Sequence, residues 1–137
     1  MIYLPDTNAF SAYLAGRSPR LTERMLAAFK AGELRLSVMV MSELAFGAEK
    51  ARTKLGDTKF ARRVDILRGQ IEVVPLGENF PPHYAKVRTH LEAHGRKIGD
   101  RDTIIAAHAL ALDAVMVTRN VDEFSRVPGL AVENWEA

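Results

Sequence analysis

Five short apolar segments, separated by longer stretches with helical spacing, constrain the fold of this chain more than any other sequence feature. The segments are nearly continuous runs of aliphatic and β-branched residues, not alternations of apolar and polar ones. Strands of that kind are buried on both faces, as in a parallel sheet covered by helices. The predicted strands cover residues 2–4, 34–36, 71–74, 115–118 and 130–132.

Helix start and stop signals fill the intervals between these strands. Ser18 followed by Pro19 is typical of a helix N-terminus, and Gly32 ends the apolar helical pattern that follows. Further helices are predicted over residues 38–52, 58–69, 81–95 and 102–112, the last of them Ala-rich and suited to burial against a sheet. We therefore predict an α/β fold, a three-layer α/β/α sandwich with a mainly parallel central sheet of about five strands, as one domain over residues 1–137.

Composition excludes several classes of function. The chain has 137 residues, of which 47% are hydrophobic, and it has no cysteine, so a disulfide scaffold, a thiolate zinc site and a cysteine nucleophile are excluded. No apolar run approaches the length of a membrane helix, and no P-loop, Gly-x-Ser-x-Gly or Gly-x-Gly-x-x-Gly motif occurs. The expectation is a soluble, cytoplasmic protein without a membrane partner.

The charge is distributed unevenly along the chain. Residues 1–70 contain 12 Lys and Arg against 7 Asp and Glu, whereas residues 71–137 contain 7 against 10. The basic residues are densest over residues 50–68, which is either a solvated helix face or a patch that attracts phosphates. The candidates for contacting a nucleic-acid backbone are Lys50, Arg52, Lys59 and Arg62.

Two acidic residues lie on predicted helices without a partner on the same helix. The neighbours of Glu43 at three and four positions are apolar or glycine, and the same holds for Asp102. Burying an unpaired carboxylate is costly. A fold that brings several such groups together must therefore neutralise them by protonation or by a cation.

Two further acids have alternative interpretations. Asp6 directly follows the first strand, where a lone aspartate is also an ordinary helix N-cap. Glu123 follows the fourth strand, where a surface salt bridge with Arg119 or Arg126 would explain it equally well. Ligand sites of open parallel sheets lie beyond the carboxyl ends of the strands, so all four acids could converge there. All-oxygen sites of this kind select Mg²⁺ or Mn²⁺.

Four segments together carry a pattern that covers essentially the whole chain. They are residues 1–8 (MIYLPDTN), 42–50 (SELAFGAEK), 98–107 (IGDRDTIIAA) and 118–124 (TRNVDEF), followed by Trp135. In this order and spacing they resemble the PIN-domain ribonucleases of bacterial toxin–antitoxin pairs, the VapC toxins. The resemblance implies a metal-dependent endoribonuclease that cleaves specific structured RNA by water attack on a phosphodiester.

The resemblance also implies which acids form the catalytic site. They fall on Asp6, Glu43 and Asp102, with a fourth at Glu123 and Asp122 as its alternative. Asp6 and Asp102 are expected to bind Mg²⁺ or Mn²⁺ directly, while the other acids orient water or a second ion.

Supporting residues and partners follow from the same resemblance. Thr7 and Asn120 look like polar helpers of the pocket, and the chain departs from the family pattern at Pro5 and Asp100. The implied partners are an RNA substrate, a second copy of the chain in a homodimer, and a cognate VapB-like antitoxin. That antitoxin would join the toxin in a hetero-oligomer, contact DNA, place an Arg or Lys among the acids and lay an apolar segment along the helices after Leu14 and Val38.

Other functions compete with this one. A phospho-receiver domain needs an aspartate at the end of its third strand and a lysine after its fifth, and this chain has neither. An inactive PIN-like binding module would lack part of the acid set, which is complete here. A metal-dependent DNase or flap-type nuclease remains open, because nothing in the acid set recognises a 2′-hydroxyl.

Overall fold

Helices and short strands alternate along residues 1–137, all of which are described by the structure, a computed structural model. The strands are β1 (Tyr3–Pro5), β2 (Leu36–Ser37), β3 (Val73–Val74), β4 (Val115–Val117) and β5 (Val132–Glu133). The helices are α1 (Thr7–Ala15), α2 (Pro19–Lys30), α3 (Val38–Leu55), α4 (Lys59–Gln70), α5 (Phe80–Ala93), α6 (Asp100–Ala111) and α7 (Val121–Phe124). Every predicted strand and helix is present, and α1 and α7 are additions.

All strand pairs are parallel, as predicted. Strands β1, β4 and β5 form one sheet in the order β1-β4-β5, and β2 pairs with β3 in a second. A single parallel bridge between Tyr3 and Leu34 joins the two sheets beside β1. The predicted central sheet of about five strands is therefore divided into sheets of three and two, joined by this bridge.

One hydrophobic cluster of 28 buried residues fills the space between the sheets and the helices. Helix α6 contributes three alanines, Ala106, Ala107 and Ala109, none of which has any exposed surface. Small side chains let this helix lie close to its neighbours, which confirms the prediction of a buried last long helix. No helix of the protein combines the length and the apolar character that crossing a membrane requires.

The end of β1 sets the position of the first acid. Pro5 is the last residue of the strand and lies opposite Val117 of β4, as its missing N–H predicts. The next residue, Asp6, still follows the ladder, because its N–H donates to the carbonyl of Val117 at 2.9 Å. The carboxyl ends of β1 and β4 therefore deliver Asp6 and Thr118 to the same edge of the sheet.

Candidate active site

Asp6 serves both of the roles that the sequence left open. It is the N-cap of α1, where its Oδ1 accepts a hydrogen bond from the N–H of Ala9 at 2.8 Å. It is also buried, and burial raises the pKa of its carboxyl above the ordinary value, while the Thr118 hydroxyl and the Ala9 N–H act in the opposite direction. The cap fixes the orientation of the carboxylate without removing it from the sheet edge.

Asp102 lies in the first turn of α6. The carboxylates of Asp6, Glu43 and Glu123 act on it, and we call these charges the acidic field around Asp102. Burial, and then the negative charges of Asp6, Glu123 and Glu43, raise its pKa to about 6, and the Arg101 guanidinium opposes them. A helix N-terminus ordinarily stabilises a carboxylate and lowers its pKa. Burial and the three neighbouring acids act on Asp102 in the opposite direction.

Glu43, in the second turn of α3, has partners that come from other elements. The Thr7 hydroxyl donates a hydrogen bond to its Oε1 at 2.6 Å, and the Arg101 guanidinium lies 3.6 Å from its Oε2. The sequence correctly indicated that no residue on its own helix could pair with Glu43. It missed Arg101, whose only signal was a lone basic residue between Asp100 and Asp102.

Glu123, on α7, belongs to the same group of acids. The alternative interpretation of Glu123 as a surface ion pair is not supported, since none of the six ion pairs in the structure includes it. Its charge is among the principal causes of the raised pKa of Asp102, and the charge of its exposed neighbour Asp122 is not. The structure thus brings Glu123, and not Asp122, into the field around Asp102.

Two threonines hydrogen-bond to these acids, Thr7 to Glu43 and Thr118 to Asp6. Thr118 is buried, and its hydroxyl oxygen accepts a hydrogen bond from the N–H of Asn120 at 2.9 Å. The same hydroxyl hydrogen-bonds to Asp6 and lowers the pKa of its carboxyl. The Asn120 side chain is half-buried at the start of α7 and forms no capping hydrogen bond. Thr7 is the hydrogen-bond donor to Glu43 described above, and the sequence missed Thr118. The role of Asn120 stays a prediction, because no hydrogen bond joins its side chain to an acid.

Two of the four candidate acids, Glu43 and Asp102, line an open cleft. Glu43, Gly99, Asp100, Arg101 and Asp102 line an opening of about 370 Å³. No three His, Cys, Asp or Glu side chains stand at the distances of one shared ion. The four acids therefore lie close enough to influence the pKa of Asp102, but they do not form the ligand set of one ion. Asp6 and Glu43 each accept a hydrogen bond from a donor of the protein.

A buried hydrogen-bonded pair ties together the two helices that carry Glu43 and Asp102. His108 of α6 and Ser37, the N-cap of α3, have no exposed surface, and the Ser37 Oγ lies 2.8 Å from the His108 Nδ1. The His108 Nε2 lies 3.0 Å from the carbonyl of Pro75, which can only accept, so Nε2 carries the proton and Nδ1 accepts the Ser37 hydroxyl. Burial lowers the pKa of His108, in keeping with this neutral form.

The candidate basic residues form an exposed surface on two packed helices. Lys50 and Arg52 lie near the end of α3, and Lys59 and Arg62 lie on α4. Arg52 forms an ion pair with Glu49, and the other three form none. None of the four lines the acidic cleft.

Comparison with known proteins places this geometry in a family. The model for the PIN domain matches residues 3–130, nearly the whole chain. The chain belongs to the PIN-domain family. Within that family the chain is 34% identical to "Ribonuclease VapC2" of Rickettsia felis, over 99% of each chain. It is also 29% identical to the "tRNA(fMet)-specific endonuclease VapC" of Shigella flexneri, over 97% of each chain.

Solved structures resemble this PIN domain over its full length. The VapBC2 complex of Rickettsia felis bound to a DNA fragment of its promoter contains a chain with a TM-score of 0.88 and 31% identity, covering 98% of this chain and 99% of that one. The VapBC-1 complex of nontypeable Haemophilus influenzae gives a TM-score of 0.83 and 32% identity, with complete coverage of both chains. The resemblance to VapC ribonucleases and the predicted fold are thereby confirmed.

Proposed function

We propose that this PIN domain is a divalent-metal-dependent endoribonuclease that acts as the toxin of a VapBC-type toxin–antitoxin pair. The observation that carries the proposal is the acidic field around Asp102, where burial and then the charges of three other carboxylates raise its pKa to about 6. Such a field is costly for the fold and useful for binding a cation. The names of the relatives, ribonucleases and a tRNA endonuclease, support RNA as the substrate.

The donor set fits a hard divalent cation such as Mg²⁺ or Mn²⁺. It consists of carboxylate oxygens only, and their mutual repulsion is what a cation would relieve. Asp6 and Asp102 would hold the ion, and Glu43 and Glu123 would orient water around it. Bound there, such an ion makes water more acidic and offsets negative charge on the phosphate that is attacked.

The protein's own groups then have separate tasks. Thr7 holds the Glu43 carboxylate by its hydroxyl, which leaves the second oxygen of Glu43 for a water molecule or for Arg101. Asp102 is ionised above pH 6 and able to act as a ligand at neutral pH. A carboxylate of the group would accept the proton of the attacking water. Because water and not the 2′-hydroxyl attacks, the bond between phosphorus and the 3′ oxygen breaks and that oxygen takes up a proton, so the products carry 5′-phosphate and 3′-hydroxyl ends.

The activity is tested with purified protein freed of antitoxin. We expect it to cut a cellular RNA pool at few sites with Mg²⁺ or Mn²⁺ and to stop in EDTA. Cleavage that survives EDTA, or products with cyclic phosphates, would refute the mechanism. Equal cleavage of single-stranded DNA would identify a less selective nuclease, and binding without cleavage would identify a binding module.

A matched pair of variants tests the fourth acid. Glu123→Gln removes the charge that acts on Asp102, whereas Asp122→Asn removes the exposed charge beside it. We expect Glu123→Gln to lose most RNA cleavage and Asp122→Asn to keep it. The reverse result would assign the role to Asp122.

An antitoxin is the expected partner, and an apolar groove beside Leu14 would accept its apolar segment. The groove comprises an opening of about 260 Å³ between α1 and α4 and one of about 130 Å³ that extends to α2. It adjoins α2, the helix after Leu14, and contains no residue of α3, the helix after Val38, for which the same contact was predicted. Its exposed apolar members are Leu26, Phe29 and Ile66. A VapB-like antitoxin would lie there, place a basic side chain among the acids, and contact DNA within the complex.

Charged substitutions test this groove. Ile66→Asp should abolish inhibition by the antitoxin while leaving RNA cleavage intact, because Ile66 lies on α4 in the groove and is 61% exposed. Leu55→Asp is the control, since Leu55 is exposed but lines neither opening. Inhibition that survives in Ile66→Asp would exclude the groove as the docking surface. A homodimer and a cytoplasmic location remain predictions, to be measured by sedimentation and cell fractionation.

A further inference from the structure

Phe46 is an exposed aromatic residue one helical turn after Glu43. It is 67% exposed, whereas the buried residues of α3, such as Val40 and Leu44, lie on another side of the helix. A single exposed apolar side chain is ordinary on a protein surface. The residues around Phe46 indicate a function for this ring that its exposure alone would not indicate.

Phe46 lines an opening that continues into the acidic cleft. This opening measures about 350 Å³, and its other lining residues are Thr7, Met39, Ser42, Glu43 and Arg101. Glu43 and Arg101 also line the acidic cleft, so the two openings share a wall. A strand whose phosphate lies at the acids therefore has its adjoining nucleotide within reach of the Phe46 ring.

The chemistry of this opening matches a nucleobase. Unpaired bases of single strands stack on aromatic side chains and on the planar guanidinium of arginine. Phe46 offers an exposed ring, and Arg101, whose side chain is 70% exposed, offers a guanidinium that can also contact a phosphate. Both groups lie beside the acids, which is where a base next to the cleaved bond would be held.

We propose that Phe46 is a stacking surface for an unpaired base of the RNA, next to the phosphodiester that is cleaved. The proposal rests on the proposed ribonuclease function and adds a requirement to it, since a base in a duplex cannot leave its stack to reach Phe46 without cost. An apolar antitoxin segment is the competing occupant. It is less suited to this opening, which holds one aromatic ring among polar and charged groups, than to the groove beside Leu14.

Fluorescence of a Phe46→Trp variant tests the stacking directly. The only tryptophan of the chain, Trp135, is 2% exposed, so a new indole at position 46 dominates any signal that responds to a ligand. We expect a single-stranded oligoribonucleotide of mixed sequence, added with Ca²⁺, to quench this emission. An abasic ribose-phosphate oligomer of equal length should leave the emission unchanged. Binding of the RNA, measured by anisotropy, without quenching would overturn the proposal.

Cleavage by substituted proteins separates stacking from a structural role. We expect Phe46→Ala to lower kcat/KM for RNA by about 5- to 100-fold, while Phe46→Tyr keeps most of it. Leu55→Ala, on the same helix but outside the opening, should have no effect. Circular dichroism confirms that each variant is folded.

The outcomes distinguish this proposal from the proposed function. A wild-type protein that cleaves no RNA refutes the ribonuclease function, and the fluorescence titration then still decides whether bases stack at position 46. A wild-type protein that cleaves RNA, with Phe46→Ala equally active, refutes the stacking surface alone. If Phe46→Ala cleaves normally but escapes the antitoxin, the opening is an antitoxin contact and the proposal is wrong.

Discussion

In the folded chain, burial and the neighbouring acids disfavour the charged form of the Asp102 carboxyl. Its pKa of about 6 lies above the ordinary value of 3.8, so the folded state retains a proton that the unfolded state releases. Folding stability therefore falls as the pH rises from about 4 to 6, and above pH 6 the full repulsion is present. A bound cation or a neutral side chain would relieve it.

Replacing Asp102 by asparagine should separate catalysis from stability. In EDTA at pH 7.5 we expect Asp102→Asn to match or exceed the wild type in melting temperature and to lose nearly all RNA cleavage. Mg²⁺ at about tenfold above its dissociation constant should stabilise the wild type by about 1.4 kcal/mol and the variant far less. Thermal melts with and without Mg²⁺, beside a cleavage assay, measure both effects.

Asp100→Asn is the matched control for that experiment, because Asp100 is an exposed acid in the same helical turn. It should lose only the small stabilisation that a carboxylate gains at a helix N-terminus, a few tenths of a kcal/mol. A destabilised but active Asp102→Asn would show that Asp102 is a helix-terminus residue and not part of the site.

Single residues show how far the sequence could predict the site. The sequence alone shows that Glu43 and Asp102 have no basic or polar partner three or four positions away on their own helices, because helical spacing is a local property. The contacts of Glu43 with Thr7 and Arg101 join α3 to α1 and α6, and no local pattern encodes them. The choice between Glu123 and Asp122 depended on which face of α7 turns toward Asp102, which also requires the folded chain.

At the scale of elements, α3 and α6 depend on the buried contact between Ser37 and His108. We expect Ser37→Ala to cost about 2–4 kcal/mol, since it removes the N-cap of α3 and leaves the Nδ1 of His108 without a donor. Ser18→Ala is the control, because Ser18 only caps α2 and its loss should cost about 1 kcal/mol. Urea unfolding of both variants tests this difference, and equal losses would show that the histidine contact contributes nothing.

His108 should also make the protein sensitive to acid. Burial lowers the pKa of His108 below 6.5. As the pH falls through 6.5, the unfolded state therefore binds a proton at this histidine before the folded state does. Stability is lost below pH 6.5, at up to about 1.4 kcal/mol per pH unit. The gap in free energy of unfolding between the wild type and His108→Gln should therefore narrow from pH 7.5 to pH 5. Asp102 is present in both proteins, so its titration cancels, and a gap independent of pH would contradict this role.

Helices were predicted more closely than strands. Ser18, Pro19 and the apolar spacing after them are local signals, and α2 begins and ends within two residues of the prediction. The strands are only two or three residues long and are defined by partners far along the chain, so their predicted bounds were too wide or displaced. The four-residue helix α7 is too short for any periodic pattern, although it carries Glu123.

At the scale of the whole molecule, the basic surface of α3 and α4 should contribute a salt-dependent part of RNA affinity. Each phosphate contact to a single strand contributes about 0.7 to the slope of log affinity against log salt. If Lys50 and Lys59 each contact a phosphate, replacing both by glutamine should reduce that slope by about 1.4. The double variant Lys30→Gln and Lys86→Gln makes the same change of charge on α2 and α5 and should leave the slope unchanged. Equal slopes for both double variants would show that the surface of α3 and α4 is merely solvated.

Pairing of β1 with β4 also determines when, during translation, this chain can become active. Tyr3 finds its partner Val115 only after the ribosome has added the intervening residues, which takes about 5 to 20 seconds at ordinary elongation rates. Until then Asp6 and Asp102 belong to unconnected parts of a growing polypeptide. A chain with this topology cannot bring Asp6 and Asp102 together until α6 and β4 have been synthesised. The groove beside Leu14 is formed by α1, α2 and α4, which all precede α6 in the chain, so this surface is synthesised before Asp102.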